Sequence, residues 1–154
     1  MSANPEPWWR LHPLHPSHLP QVLAIERRAY AHPWSEGIFN DCCRAGYSSW
    51  VLTNTLGEVL AYALMSMAVG EAHILNLCVA PEHRRQGLAR VLLDHLLRLA
   101  RNANTTLVLL EVRKSNKAAQ QLYEGYGFQR LHVRKAYYPG SGAREDAIVM
   151  GLDL

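Results

Sequence analysis

The apolar positions of this 154-residue chain change their period several times, and each change marks an element. Leu19, Val22, Leu23, Ile25 and Ala29 recur at three- and four-residue spacing, which predicts one face of a helix. Ser17 is expected to cap it, after a leading loop over residues 13–20. A second short helix is predicted from its cap at Ser35 to about Gly46. Residues 47–53 and 59–67 read as strands joined by a turn at Asn54-Thr55-Leu56-Gly57. Residues 73–79 form a third, mostly apolar strand. A helix follows over 87–102, with Leu88, Val91, Leu92, His95, Leu96 and Leu99 on one side. Residues 106–112 are almost continuously apolar, as in a strand covered on both faces. A fourth helix over 115–124 ends at Gly125 or Gly127, and strands over 128–137 and 147–152 close the chain.

The strand-helix-strand order over 73–112 requires a parallel pair joined by a right-handed crossover. The remaining strands are expected to be antiparallel. The predicted fold is therefore α/β (α+β mixed sheet): six to seven strands flanked by about four helices, in one domain over residues 1–154. No repeat, low-complexity segment or linker interrupts the pattern.

Composition narrows the class. With 49% hydrophobic and 19% charged residues the chain reads as an ordinary globular protein. A net charge of +3 suits an anionic ligand but is too small to argue for nucleic acid. Cys42, Cys43 and Cys78 form no C-x-x-C pair, and two of them are adjacent. Reduced thiols in the cytoplasm are the expectation. The first ten residues hold no apolar core of a secretory signal, and no apolar stretch reaches the ~18 residues of a membrane span. His12, His15 and His18 are evenly spaced, but Pro13 and Pro16 break any helix there and no acidic or cysteine ligand lies near, so no metal is expected.

The chemistry starts at Val79-Ala-Pro-Glu-His-Arg-Arg-Gln-Gly-Leu-Ala89, where a strand ends and a helix begins. Arg84, Arg85, Gln86, Gly87 and Leu88 offer backbone N–H groups at a helix start, where the first N–H groups lack intrahelical partners and the dipole is positive. Gly87 lets a ligand approach the backbone. The corner predicts a phosphorylated ligand; taken alone it also fits a plain basic turn capping a helix. Further on, Glu111 interrupts the run Leu107-Val108-Leu109-Leu110. A carboxylate ending a buried strand costs free energy unless it is paired or functional.

Arg84-x-x-Gly87-x-Ala89 resembles the acyl-CoA signature Q/R-x-x-G-x-G/A of the GNAT N-acetyltransferases. A second block agrees: Asn116-Lys-Ala-Ala119-Gln-Gln-Leu122-Tyr123, then Gly127-Phe128. Within that family the chain is most similar to the RimI type, the ribosomal-protein-alanine N-acetyltransferases. His32-Pro33-Trp34-Ser35, Leu110-Glu111-Val112-Arg113, Tyr137-Tyr138-Pro139 and Arg144-Glu145-Asp146-Ala147 carry this finer likeness.

The resemblance implies acetyl-CoA as donor, with its diphosphate on the N–H groups from Arg85 to Arg90. It implies pantetheine pairing along Leu77, Cys78 and Val79, with an N–H near Cys78 or Val79 on the thioester oxygen. Cys78 itself reads as a small buried hydrophobe rather than a nucleophile. Glu111 becomes the general base, directly or through water, the rival being a strand-end ion pair with Arg113. Tyr123 becomes the acid for the departing thiolate, although a tyrosine on an amphipathic helix is more often core. Asn116 either bonds the cofactor or caps its helix. Trp34, Tyr137, Tyr138, Glu145 and Asp146 are implied to receive the acceptor, the basic N-terminal tail of small-subunit ribosomal protein eighteen. A solvated hairpin around a mobile Gly140-Ser141-Gly142 loop is the alternative for that segment. Acetylation of other amines, and a non-catalytic acyl-CoA-binding module, are the competing functions. Neither nucleic acid nor membrane is an expected partner.

Overall fold

The structure is a computed structural model that describes residues 6–140 and 142–154. Its seven strands form one mixed sheet in the order β1-β2-β3-β4-β5-β7-β6. The strands are β1 Trp9–Pro13, β2 Ser48–Asn54, β3 Val59–Ala68, β4 Glu71–Val79, β5 Leu107–Arg113, β6 Gln129–Tyr138 and β7 Glu145–Asp153. The helices are α1 Leu19–Ala29, α2 Glu36–Arg44, α3 Leu88–Asn102 and α4 Lys117–Gly125. By their contacts, the described residues up to 64 with 76–95 make one compact unit, and residues 65–75 with the described residues from 96 onward make another.

In the first unit, Val22, Phe39, Val51, Tyr62 and Leu64 form the centre of the core. β1 runs antiparallel to β2, from Trp9 against Asn54 to Pro13 against Trp50. The sequence pattern does not predict β1, because its Trp-Arg-Leu-His-Pro run is short, half-buried and barely alternating. Ser35 does cap α2, its Oγ accepting from the Ile38 N–H at 3.3 Å. The Ser17 cap is corrected. Residues Pro16–His18 form a single 3₁₀ turn, and α1 starts only at Leu19 with no side-chain cap. That turn is held by two imidazoles: His15 Nδ1 accepts from the Ser17 N–H at 3.1 Å, and His18 Nδ1 accepts from the His15 N–H at 2.9 Å.

In the second unit, β4 and β5 are parallel, with Glu71–Ile74 against Leu107–Leu110. This is the pair the strand-helix-strand order requires. β7 then lies antiparallel to β5 along its whole length, from Leu107↔Asp153 to Arg113↔Ala147, and β6 lies outside it. β7 begins two residues earlier than its apolar pattern suggests, because Glu145 and Asp146 are tied into the hairpin by their side chains. Gly151 sits where a side chain would collide, 2.8 Å from Leu131 Cδ1. Ser141, in the predicted Gly140-Ser141-Gly142 loop, lies outside the described residues.

Candidate active site

Glu111 is the only charged residue of β5 before its terminal Arg113, and its side chain keeps 15% of its exposure. The strand places it opposite Val149 of β7, next to the last β4–β5 pair, Ile74↔Leu110. Its Oε2 is 2.7 Å from Nε2 of His73 on β4. Its Oε1 is 3.6 Å from Nη1 of Arg134 on β6. The hydrogen bond to His73 holds the Glu111 carboxyl below its ordinary value, opposed by partial burial and aided by the charges of Arg134 and His132.

Arg113 is not the partner that the sequence suggested for Glu111. Its Nη1 donates to the Pro139 carbonyl at 2.8 Å and lies 3.5 Å from Glu145, while its guanidinium stands 4.5 Å over the Tyr138 ring. Glu111 and Arg113 share one face of β5, two residues apart, but each is taken by nearer partners, Glu111 by His73 and Arg134 and Arg113 by Pro139, Glu145 and Tyr138.

Tyr137 and Tyr138 pack ring to ring at 5.0 Å, and Arg134 lies 4.9 Å from the Tyr137 centroid. The turn into this pair passes through Ala136 at φ +50, a left-handed conformation that an alanine adopts only under constraint. The constraint is visible. Asp146 Oδ1 accepts from the Ala136 N–H at 2.9 Å, and Arg144 donates to the carbonyls of Ala136 and Tyr137, both at 2.7 Å. Glu145 accepts from the backbone N–H of Ser115 at 2.9 Å and from its hydroxyl. Both carboxylates are thus engaged inside the chain and held below their ordinary values by these hydrogen bonds.

Tyr123, on α4, is 7% exposed and packs edge-on against Phe128 at 5.6 Å. Burial pushes its phenol up, so the hydroxyl stays protonated. The Tyr138 phenol is pushed up to about 12 by burial and by the Glu111 charge. Asn116 caps α4, its side chain accepting from the Ala119 N–H at 3.2 Å. Fully buried Gln120 secures the preceding loop by donating to the Arg113 and Lys114 carbonyls and accepting from Arg130. Thus His73, Glu111, Arg134, Tyr137, Tyr138, Arg113 and Glu145 form one continuous string of contacts.

In the other unit, Leu77 and Val79 are half-buried while Cys78 between them is buried. Burial raises the Cys78 thiol, against hydrogen bonds from Tyr62 and Tyr30, so a thiolate nucleophile is disfavoured there. After β4 the chain makes a 3₁₀ turn at Pro81–His83, and Arg84–Gly87 is exposed. Arg85 (φ +64) and Gly87 (φ +80) are both left-handed, a conformation that glycine adopts without strain. The helical ladder starts with Val91 N–H donating to the Gly87 carbonyl at 3.2 Å. The N–H groups of Leu88, Ala89 and Arg90 have no acceptor within α3. A Cβ at Gly87 would meet nothing within 4 Å, so the space beside its backbone is open. Leu88 is buried and anchors the corner.

Trp34 is half-buried against Phe39 at 5.2 Å, and its backbone N–H donates to Glu26 Oε2 at 2.9 Å. Sequence reading missed His73, Arg134 and Glu26. Glu26 was detectable, since it falls on the apolar side of α1 at the spacing of Val22 and Ala29.

The model of the family described as Acetyltransferase (GNAT) family matches residues 15–128. The chain belongs to the GNAT acetyltransferase family. As a GNAT protein it is 41% identical over 136 residues to the [ribosomal protein bS18]-alanine N-acetyltransferase of Escherichia coli strain K12, covering 88% of this chain and 91% of that one. Its fold matches the crystal structure of the ribosomal-protein-S18-alanine N-acetyltransferase from Escherichia coli with a TM-score of 0.88 and 39% identity, covering 94% and 93% of the two chains. It also matches Ard1 from Thermoplasma volcanium, with a TM-score of 0.88 and 27% identity over 96% and 98% of the chains. No α3-length or other helix among the described residues of this acetyltransferase is long and apolar enough to cross a membrane.

Proposed function

We propose that this acetyltransferase moves the acetyl group of acetyl-CoA onto the α-amine of an N-terminal alanine, that of a small-subunit ribosomal protein, in the cytoplasm. Residues 1–154 act in this reading as one GNAT domain, with no nucleic-acid or membrane partner. The observation that carries the reading is the setting of Glu111. It is a largely buried carboxylate on β5, kept ionised by its neighbours, in a chain similar along 88% of its length to an enzyme named for that reaction. Three free cysteines support a reducing compartment.

The residues present fit the donor. The backbone of Arg84, Arg85, Gln86, Gly87, Leu88, Ala89 and Arg90, at the start of α3 and open at Gly87, receives the diphosphate. The backbone of Leu77, Cys78 and Val79 binds the pantetheine arm and polarises the thioester oxygen. Asn116 adds a hydrogen bond to the cofactor from the start of α4. When bound, acetyl-CoA supplies an acetyl carbon activated as a thioester.

Glu111 serves the removal of the ammonium proton as general base, directly or through water. An α-amine of pKa ~8 gives up that proton readily enough for a carboxylate to assist. Tyr123, held protonated by burial, donates to the departing thiolate. Trp34, Tyr137 and Tyr138 receive the acceptor peptide. Glu145 and Asp146 fix the hairpin that presents the two tyrosines, and their negative charge favours a basic tail.

Incubation with acetyl-CoA and an alanine-ended hexapeptide tests this, with released CoA and peptide mass as readouts. One added acetyl on the peptide, and none on its N-blocked form, is expected. Acetylation of free amines but not of the peptide overturns the acceptor. Undiminished turnover in Glu111→Gln and Tyr123→Phe overturns the proton roles. In cells lacking the enzyme, one ribosomal protein should lose the mass of one acetyl group.

A further inference from the structure

Glu111 is a weak proton acceptor as it stands. One oxygen faces His73 and the other faces Arg134, and each interaction favours the ionised carboxylate over its protonated form. A group that resists protonation cannot alone hold the proton that acetyl transfer releases. The residue beside it can.

We infer that His73 and Glu111 work as one proton-accepting pair, in which Glu111 orients the His73 ring and the proton comes to rest on His73 Nδ1. This deepens the reading given under Proposed function and rests on it. At 2.7 Å, Nε2 of His73 and Oε2 of Glu111 must share a proton, because two lone pairs would repel at that distance. With Glu111 ionised, that proton sits on Nε2, which fixes the tautomer and leaves the Nδ1 lone pair free. Among the described residues, Nδ1 has no hydrogen-bond partner, and the side chain keeps 34% of its exposure. It can therefore be reached through water.

The step balances without a redox change. The ammonium N–H bond breaks, and its electron pair stays on nitrogen to attack the thioester carbon. The proton, passed through water, bonds to Nδ1. Nε2–H remains on His73 and Oε2 continues to accept it. The imidazolium formed faces an ionised carboxylate, so charge separates into a pair. Placing the proton on Glu111 would instead leave Arg134 facing a neutral acid. The groups facing this pair are Arg134 and His132 of β6, on the Glu111 side, and Tyr138, whose buried phenol is neutral over the working range. The alternating burial of β4 places His73 between buried Ala72 and Ile74 on the opposite face.

The test uses the full-length protein, acetyl-CoA and the alanine-ended peptide. His73→Gln should lower kcat about a hundredfold, the usual share of a positioned acid–base group, with little change in KM for acetyl-CoA. The acid limb of its kcat–pH profile should move. Free imidazole should restore part of the turnover of His73→Ala. In nitrogen-15 spectra the His73 Nε2–H signal should shift upfield in Glu111→Gln, as the charged acceptor is lost. Wild-type kcat and pH profile in His73→Gln, beside an impaired Glu111→Gln, overturn this inference and leave the assignment of Glu111. An unimpaired Glu111→Gln overturns the underlying reading. A fall in kcat with an unmoved pH profile and no imidazole rescue makes His73 merely structural, which also overturns it.

Discussion

Tyr62 donates its hydroxyl to Glu26 at 2.6 Å, and neither side chain reaches solvent. The same carboxylate oxygen accepts from Asn76 Nδ2 at 3.1 Å, and the other takes the Trp34 N–H at 2.9 Å. One buried carboxylate therefore ties α1 to β3, to β4 and to the His32-Pro33-Trp34-Ser35 segment. A buried acid is tolerated when its oxygens are filled in this way.

Glu26→Ala would leave three donors without their acceptor in a dry interior. The expected loss is about 3 kcal/mol or more, and Tyr62→Phe should cost about 1–2 kcal/mol because Asn76 and Trp34 still serve the carboxylate. Urea unfolding at neutral pH checks the ranking. Equal losses in the two variants would show that Tyr62 supplies most of the stabilisation.

Glu111 makes stability depend on acid. Its folded value lies below the ordinary 4.5, so the native state binds the proton less readily than the unfolded chain. The stabilisation is complete above about 4.5 and is lost as pH falls through the lower folded value. His73→Gln removes the largest cause and should flatten the stability–pH curve on the acid side. Chemical unfolding between roughly pH 3 and 6 measures it. A curve identical to wild type would mean Arg134 and His132 set the shift.

Tyr123 has the opposite sign. Burial raises its phenol above the ordinary 10, so its contribution is whole below 10 and is lost as pH rises beyond it. As the proposed acid it stays protonated across neutral and mildly alkaline pH. Wild type should therefore show no fall in kcat from this group up to pH ~9, and Tyr123→Phe should lower kcat about a hundredfold or more. Tyr138→Phe, lacking that role, should change KM for peptide more than kcat. Reversed effects in steady-state kinetics would exchange the two assignments.

Gly87 has room for a methyl group but the wrong backbone for one. At φ +80, Gly87→Ala should cost roughly 1–2 kcal/mol in stability. The added Cβ would also occupy the open space beside the start of α3, where the diphosphate is proposed to bind. KM for acetyl-CoA should rise several-fold while KM for peptide stays near its wild-type value. A rise confined to the peptide would place the donor elsewhere.

Gly151 tests the second unit. A Cβ there would lie 2.8 Å from Leu131 Cδ1 and 3.3 Å from Leu109 Cδ2, both flexible side-chain ends. Leu131 is half exposed and free to turn away, so Gly151→Ala should cost about 1 kcal/mol, at the low end of overpacking. A loss above ~3 kcal/mol would mean that the β6–β7 backbone moves instead.

What the sequence by itself determined is local. Helical spacing located α1 and α3, cap and glycine signals located α2 and α4, the apolar runs located six of the seven strands, and the basic glycine-bearing segment after Val79 marked the start of α3. Glu111 stood out because a charge in an apolar strand is anomalous without any knowledge of its neighbours. These signals are carried by residues a few positions apart, where backbone geometry alone sets the spacing. The tertiary structure decided the partners. His73 reaches Glu111 from 38 residues away only because β4 pairs in parallel with β5 at a particular register. Arg134 reaches it only because β7 inserts beside β5 and carries β6 with it. Glu145 and Asp146, implied by resemblance to meet the acceptor, also fasten the chain internally, since the same ladders bring Ser115 and Ala136 to them. A one-residue slip in any of these ladders turns a side chain to the other face, so the identity of each partner belongs to the packed sheet.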